Sequence, residues 1–162
     1  VRVFRGRDST GVRGIRLLGN DRVVSMSVIN DDANQFILSV TENGYGKRTP
    51  IDDYRRSGRG GQGVANIETS VRNGKVMASF SVVDDDQLML VTNMGQVIRI
   101  RVHGSEGDSI RIASRKTHGV RLFDVADDEN EKVVSAGIVR ENEDDEGAAP
   151  NDRSKSLSLI HI

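Results

Sequence analysis

Alternation of apolar and polar residues marks several short stretches of this chain as strands. Val24, Met26 and Val28 alternate with Ser25 and Ser27, and Val12, Ile15 and Leu17 are separated by Arg13 and Arg16. Phe36-Ile37-Leu38 and Leu88-Met89-Leu90 are short apolar runs. They precede Asn43-Gly44 and Met94-Gly95, as expected of buried strands that end in hairpins. Val97, Ile98, Ile100 and Val102, interleaved with Arg99 and Arg101, predict a further strand, and Asn73-Gly74 predicts another turn. No stretch sustains helical periodicity, and 17 Gly argue against long helices. The expected fold class is all-β.

These texts recur. GVRGIRL at 11–17, GVANIET at 63–69 and GVRLFDV at 119–125 have leading glycines 52 and 56 positions apart. VVSMSVI at 23–29, VMASFSV at 76–82 and VVSAGIV at 133–139 are spaced by 53 and 57. SVTENG at 39–44 and LVTNMG at 90–95 place Thr41 and Thr92 51 apart. Three signals share nearly one period, and repeats of roughly 50 residues have the size of propeller blades. The count is two complete repeats of about four strands, with parts at each end. Val1–Phe4 reads as the last strand of a preceding blade, and 119–139 as the first two strands of an unfinished one. A blade cannot bury both its faces alone, so the natural molecule is expected to extend further on the N-terminal side.

Composition then divides the chain. The net charge of −1 hides a surplus of +6 in residues 1–122 (19 Lys+Arg, 13 Asp+Glu) and of −7 in 123–162 (4 Lys+Arg, 11 Asp+Glu). A basic body with an acidic end suggests a polyanion-binding surface and a tail that competes for it. Residues 1–140 are expected to form the blades. Residues 141–162 are expected to be a disordered tail, whose apolar end SLSLIHI at 156–162 is either a strand or foreign to the protein. Zero Cys excludes disulfides and thiolate metal sites. No apolar run approaches the roughly 20 residues that span a bilayer. The start at Val1 shows no signal-peptide pattern and reads as an internal cut. With six aromatics, the core must rest on Val, Ile and Leu.

The residues ahead of each repeated glycine are basic. Arg5-Gly-Arg7-Asp-Ser-Thr10 precedes Gly11, Arg55-Arg56-Ser-Gly-Arg59-Gly-Gly-Gln62 precedes Gly63, and Arg111-Ile-Ala-Ser-Arg115-Lys116-Thr-His118 precedes Gly119. Equivalent loops of stacked blades fall on one rim, so the clusters should form one track. Residues 1–122 contain 16 Arg and 3 Lys, and the planar guanidinium suits phosphate oxygens. Gly58-Arg-Gly60-Gly-Gln-Gly63 matches a dinucleotide fingerprint only formally, because a repeated strand text follows it rather than a helix. His103, His118 and His161 lack metal spacing. Asp31-Asp32 and Asp84-Asp85-Asp86 read as solvated turns rather than cation loops. Tyr45 and Tyr54 read as structural.

TENGYGKRT at 41–49, GVRGIRL at 11–17 and VTNMGQVIRIRV at 91–102 resemble the C-terminal domain of the bacterial DNA gyrase A subunit, and the resemblance runs over nearly all of 1–146. It implies a β-pinwheel: a propeller-like disc, usually of about six blades, whose basic perimeter bends and wraps duplex DNA. This chain resembles the last three blades. Its implied partners are double-stranded DNA, the rest of the gyrase A polypeptide and the gyrase B subunit, in a bacterial cytoplasm and at the nucleoid. The implied holoenzyme uses ATP and Mg2+ for negative supercoiling, whereas this fragment is expected to carry no catalytic residue, cofactor or metal. The family's Gln-Arg-Arg-Gly-Gly-Lys-Gly box belongs to its first blade, and Arg55-Arg56-Ser57-Gly58-Arg59-Gly60-Gly61 only echoes it.

Arg7, Arg13, Arg55, Arg56, Arg59, Arg115, Lys116 and Arg121 are therefore expected near the DNA track, with Lys47, Arg48, Arg99 and Arg101 as strand-end candidates. Glu141, Glu143, Asp144, Asp145 and Glu146 are expected to form a regulatory tail. The alternatives are a protein-interaction propeller, whose rim would carry apolar anchors, and the related C-terminal domain of the topoisomerase IV A subunit.

Overall fold

The computed structural model describes residues 3, 5–29, 34–104, 109–124 and 130–140. Two hairpins organise it. The first joins β1 (Phe36–Thr41) to β2 (Tyr45–Pro50), which runs into a 3-10 turn at Ile51–Asp53. After β3 (Val76–Val82), the second hairpin joins β4 (Gln87–Thr92) to β5 (Val97–Arg101). The short β6 (Val120–Arg121) and β7 (Val133–Val139) follow. Both hairpins turn on a threonine and a left-handed glycine. The Gly44 N–H donates to Thr41 O (3.1 Å) and the Gly95 N–H to Thr92 O (3.1 Å), at φ values of 75° and 84°. Glycine takes that conformation without the clash of a side chain.

The strands form two antiparallel sheets, ordered β3-β1-β2-β6 and β5-β4-β7. The sheets repeat down to their irregularities. β3 pairs with β1 with a register shift between Val40 and Thr41, and β7 pairs with β4 with a shift between Val91 and Thr92. All-β architecture and both hairpins match the expectation from sequence. A repeat, however, is not a sheet. The VMASFSV strand of one repeat completes the hairpin of the repeat before it, and the VVSAGIV strand does the same one step later. Among the described residues, 11–17, 23–29 and 63–69 form no strand, and of 119–125 only Val120–Arg121 does. Alternation makes 23–29 a competent strand, but its partner would be a hairpin preceding it. Among the described residues the segment pairs with no strand, and Met26 is 91% and Val28 81% exposed. The expectations for Val1–Phe4 as a strand, for Asp31-Asp32 and for the tail fall wholly or largely outside the described residues.

One core lies between the sheets. Leu38, Val40 and Val82 of the first meet Leu88, Leu90 and Val133 of the second, joined by Val102 and Ile110. Burying each such side chain contributes on the order of 1.5–3 kcal/mol. The other face of the first sheet is polar yet buried. Ser39 Oγ lies 3.1 Å from Ser79 Oγ, and Asn66 Nδ2 donates to Ser39 Oγ (2.6 Å). Asn73, fully buried, donates to Glu68 O (2.8 Å) and His118 O (3.0 Å), so the predicted Asn-Gly turn also ties two other segments down. The acidic Asp84–Asp86 turn is not merely solvated: Asp86 is 3% exposed, accepts from the Val83 N–H (3.0 Å), and pairs with Arg140 (3.1 Å).

The edge of β2 is closed by a strap, residues 110–122, which ends in β6. Its approach requires two glycines. A Cβ on Gly119, at φ 76°, would lie 2.8 Å from Gly46 O, and one on Gly46 would lie 2.6 Å from Leu122 Cδ1. Gly11 occupies the same repeat position as Gly119 at the same φ of 76°, with nothing within 4 Å of its would-be Cβ. Gly11→Ala should therefore cost about 1 kcal/mol from backbone conformation alone. Gly119→Ala should cost about 2 kcal/mol or more, because strain and collision add. Urea denaturation followed by circular dichroism checks both values; equal costs would show that the close approach contributes nothing.

Candidate nucleic-acid interface

Hydrogen bonds join the stretches around the basic segments, and one backbone bond recurs a repeat later. The Gly60 N–H donates to Gly14 O (2.8 Å) and the Arg16 N–H to Gly61 O (2.7 Å). One repeat later the Glu68 N–H donates to Thr117 O (3.0 Å), and Arg115 NH1 donates to Ala65 O (3.0 Å). Residues 13–16 thus lie against 59–61, and 65–68 against 115–117. Because 59–61 and 65–68 belong to one stretch of chain, these contacts link 13–16, 59–68 and 115–117 into one ladder. Arg13, Arg16, Arg59 and Lys116 stand on or next to its rungs, all exposed, and Arg7, Arg55 and Arg56 are exposed in the segments leading to it.

Arg115 and Arg121 are half-committed. Arg115 lies over the Tyr54 ring (5.9 Å to the centroid) besides its bond to Ala65. The Tyr54 hydroxyl donates to Asn66 Oδ1, and burial raises its pKa above the ordinary tyrosine value. Arg121 pairs with Asp124 (2.7 Å) and donates to the Tyr45 hydroxyl (3.1 Å); these contacts, Asp124 first, raise its already high pKa. Arg72 donates to the same hydroxyl (3.1 Å), and the two guanidiniums lower the Tyr45 pKa, Arg72 contributing first. They lie 5.1 Å and 5.5 Å from its ring centroid. Arg72 has no signal in the sequence pattern, since its counterpart one repeat earlier, at the spacing of 53 shared by the adjoining strand text, is Gly19. Arg99 and Arg101 are exposed on β5 in the other sheet, outside the ladder, and Arg99 Nε donates to Gln87 Oε1.

Two expected contacts are displaced. Lys47 is 0% and Arg48 4% exposed, so neither side chain lies on a surface that DNA can reach. Lys47 Nζ donates to the Ser114 and Arg115 carbonyls, the latter at 2.7 Å. Arg48 Nε donates to Ile110 O (2.7 Å), its NH1 pairs with Asp84, and its guanidinium lies 4.9 Å from the Phe36 ring centroid. The physical reason is the strap: β2 is an inner strand of its sheet, and these charges meet backbone carbonyls instead of solvent. Among the described residues, no group of His, Asp and Glu could hold a metal ion, and no helix is long and apolar enough to cross a membrane.

Burial pushes the Lys47 ammonium down to about 8. Arg115 adds to the shift and Asp53 partly offsets it. In the unfolded chain the group titrates at about 10.4. Below pH 8 both states are protonated, and the folded state bears the cost of the buried charge. Between pH 8 and about 10.4 the folded state binds fewer protons, so stability rises with pH. Lys47→Met removes this contribution. Wild-type stability relative to Lys47→Met should therefore improve by about 1–3 kcal/mol from pH 7 to pH 10, read from urea midpoints; a constant gap would contradict the assignment.

The sequence matches the model of a family described as "DNA gyrase C-terminal domain, beta-propeller" at residues 2–30, 35–82 and 86–140. The DNA gyrase A subunit of Salmonella typhimurium is 45% identical over 141 residues, 87% of this chain and 15% of that protein. Its Staphylococcus aureus counterpart is 40% identical over 155 residues, 96% of this chain and 16% of that protein. The chain thus spans about a sixth of the length of these relatives. Among solved structures, a C-terminal domain of DNA topoisomerase IV superposes with a TM-score of 0.69 at 25% identity, over 80% of this chain and 38% of that one. A DNA gyrase A C-terminal domain does so at 0.56 and 24%, over 65% and 33%, a likeness of fold. With a repeat-built propeller architecture and a family match covering most of its length, the chain belongs to the DNA gyrase C-terminal domain family.

Proposed function

We propose that the chain is a DNA-binding module of a gyrase A subunit, and that its basic ladder holds duplex DNA by the phosphates. The observation that carries this reading is the repetition of the ladder. A rung recurs one period apart with exposed Arg and Lys side chains on or next to it, which suits a track along a polyanion. Backbone-directed binding without a recognition helix favours bending over base readout. In the parent enzyme such a module would wrap a segment and deliver it to strand passage. ATP and Mg2+ chemistry and the cleaving residues belong on this reading to other parts of the gyrase A polypeptide and to the B subunit, in the cytoplasm at the nucleoid. The 40–45% identity to gyrase A proteins favours this over a topoisomerase IV module.

A salt series with duplex DNA tests the reading, with affinity expected to fall steeply as salt rises. Replacing Arg55, Arg56 and Arg59 by Ala should lower affinity about equally for unrelated sequences. It should also flatten the slope of log K against log salt by roughly 2–3, about 0.9 for each phosphate no longer neutralised. Binding insensitive to salt would point instead to a protein-interaction propeller.

The acidic residues Glu141, Glu143, Asp144, Asp145 and Glu146 suit a tethered competitor for the same basic surface. A chain ending at Arg140 should then bind DNA more tightly than the full chain, with the largest gain at low salt, where charge competition is least screened. Superimposable low-salt binding curves would rule the competition out.

A further inference from the structure

β2 meets the strap with three consecutive polar side chains. Lys47 Nζ takes the carbonyls of Ser114 and Arg115, Thr49 Oγ1 takes that of Ala113 (2.7 Å), and Arg48 Nε takes that of Ile110 (2.7 Å). The strand backbone adds two more bonds. The Arg48 N–H donates to Arg111 O (3.1 Å), and the Ala113 N–H to Arg48 O (2.9 Å). Side chains alternate along a strand, so Lys47 and Thr49 grip the strap from one face and Arg48 from the other. The chain supplies its own comparison. In β5 the positions equivalent to Lys47 and Thr49, 51 residues on, are Ile98 and Ile100, and both pack on the core between the sheets. The same strand positions are apolar where they meet apolar side chains and polar where they meet the strap's carbonyls.

The gripped segment carries charge outward. While its carbonyls at 113, 114 and 115 turn in to β2, Arg111 and Lys116 remain exposed, and Thr117 closes the turn by donating to Ser114 O (3.0 Å). A buried ammonium is costly unless it is hydrogen-bonded, and here its acceptors are backbone carbonyls of a basic loop. We infer that Lys47 and Thr49 are positioning residues of the basic ladder: they touch no phosphate, and they fix the loop at 111–116 so that Arg111 and Lys116 meet DNA together. This rests on the phosphate-binding reading of the ladder and adds to it the residues that set its geometry.

Thr49→Val is the decisive variant, because it nearly preserves shape and changes no charge. A different salt dependence must then come from charges that have moved. The chain, Thr49→Val, Lys47→Met and the double variant Arg111→Ala/Lys116→Ala are compared by duplex-DNA affinity across a salt series. Hydrogen exchange at the Ala113 amide is followed in parallel, with urea midpoints to confirm that each remains folded. Thr49→Val and Lys47→Met should speed Ala113 exchange at least tenfold and lower the salt slope by about 1–2, up to the release of both loop phosphates. Thr49→Val placed on the Arg111→Ala/Lys116→Ala background should lower the slope no further. Unchanged Ala113 exchange, an unchanged slope in folded Thr49→Val, or an additive loss on that background would each overturn the inference. If the unmodified chain shows no salt-dependent binding, the DNA reading fails instead, and the exchange data still report whether these side chains hold the loop. Should Lys47→Met fail to fold, Thr49→Val alone decides.

Discussion

A two-stranded hairpin is marginally stable in water, and each hairpin in this molecule is completed by a strand from the following repeat. β3 closes the outer side of β1 and β7 closes that of β4, with the same register shift at Val40/Thr41 and at Val91/Thr92. This exchange governs the rest of the architecture. It makes neighbouring repeats inseparable and stacks the first sheet on the second around Leu38, Leu88 and Leu90. It also sends the connecting segments across the outside, where they can carry charge.

The strap is the second consequence. Closing β2 with residues 110–122 buries a row of backbone carbonyls at a place where strand geometry points Lys47 and Thr49. Each buried carbonyl without a donor would cost about 1–3 kcal/mol. The sheet meets that demand with an amine, a guanidinium and a hydroxyl. The polar face of the first sheet at Ser39, Ser79 and Asn66 obeys the same logic, as does Asn73, whose side chain reaches both Glu68 and His118. Structure and charge are thus sorted by depth. Cations facing carbonyls hold the frame, and cations facing solvent line the ladder.

That sorting explains which features are legible in the chain. The hairpins are legible because Thr41 to Gly44 and Thr92 to Gly95 carry the turn in their own residues, and the core is legible because Leu38, Leu88 and Leu90 sit in short apolar runs. Recurrence of the basic segments is visible since each precedes a repeated glycine, and one ladder bond, Arg16 to Gly61 and then Glu68 to Thr117, shares that period. Lys47 and Arg48 mislead because charge is a property of the residue while burial depends on the partner, here 62 to 68 positions away. Alternation likewise shows that 11–17 and 23–29 can form strands; it says nothing of whether an edge awaits them. Arg72 has no repeat counterpart to announce it.

The pairing of β2 with β6 has a consequence for the time at which this molecule can exist. Tyr45 and Arg121 are 76 residues apart. A ribosome adds about 5–20 residues per second, so β2 waits on the order of 4–15 s for its closing strand. Hairpins form in microseconds, and β3 is made well before β6. For much of that interval β3, β1 and β2 therefore stand paired, with the β2 edge open and Lys47 without the strap's carbonyls. The nascent chain must pass through a stage in which its least protected edge is also cationic. Mutual repulsion between such edges on neighbouring nascent chains would then discourage pairing with the wrong partner until the right one emerges.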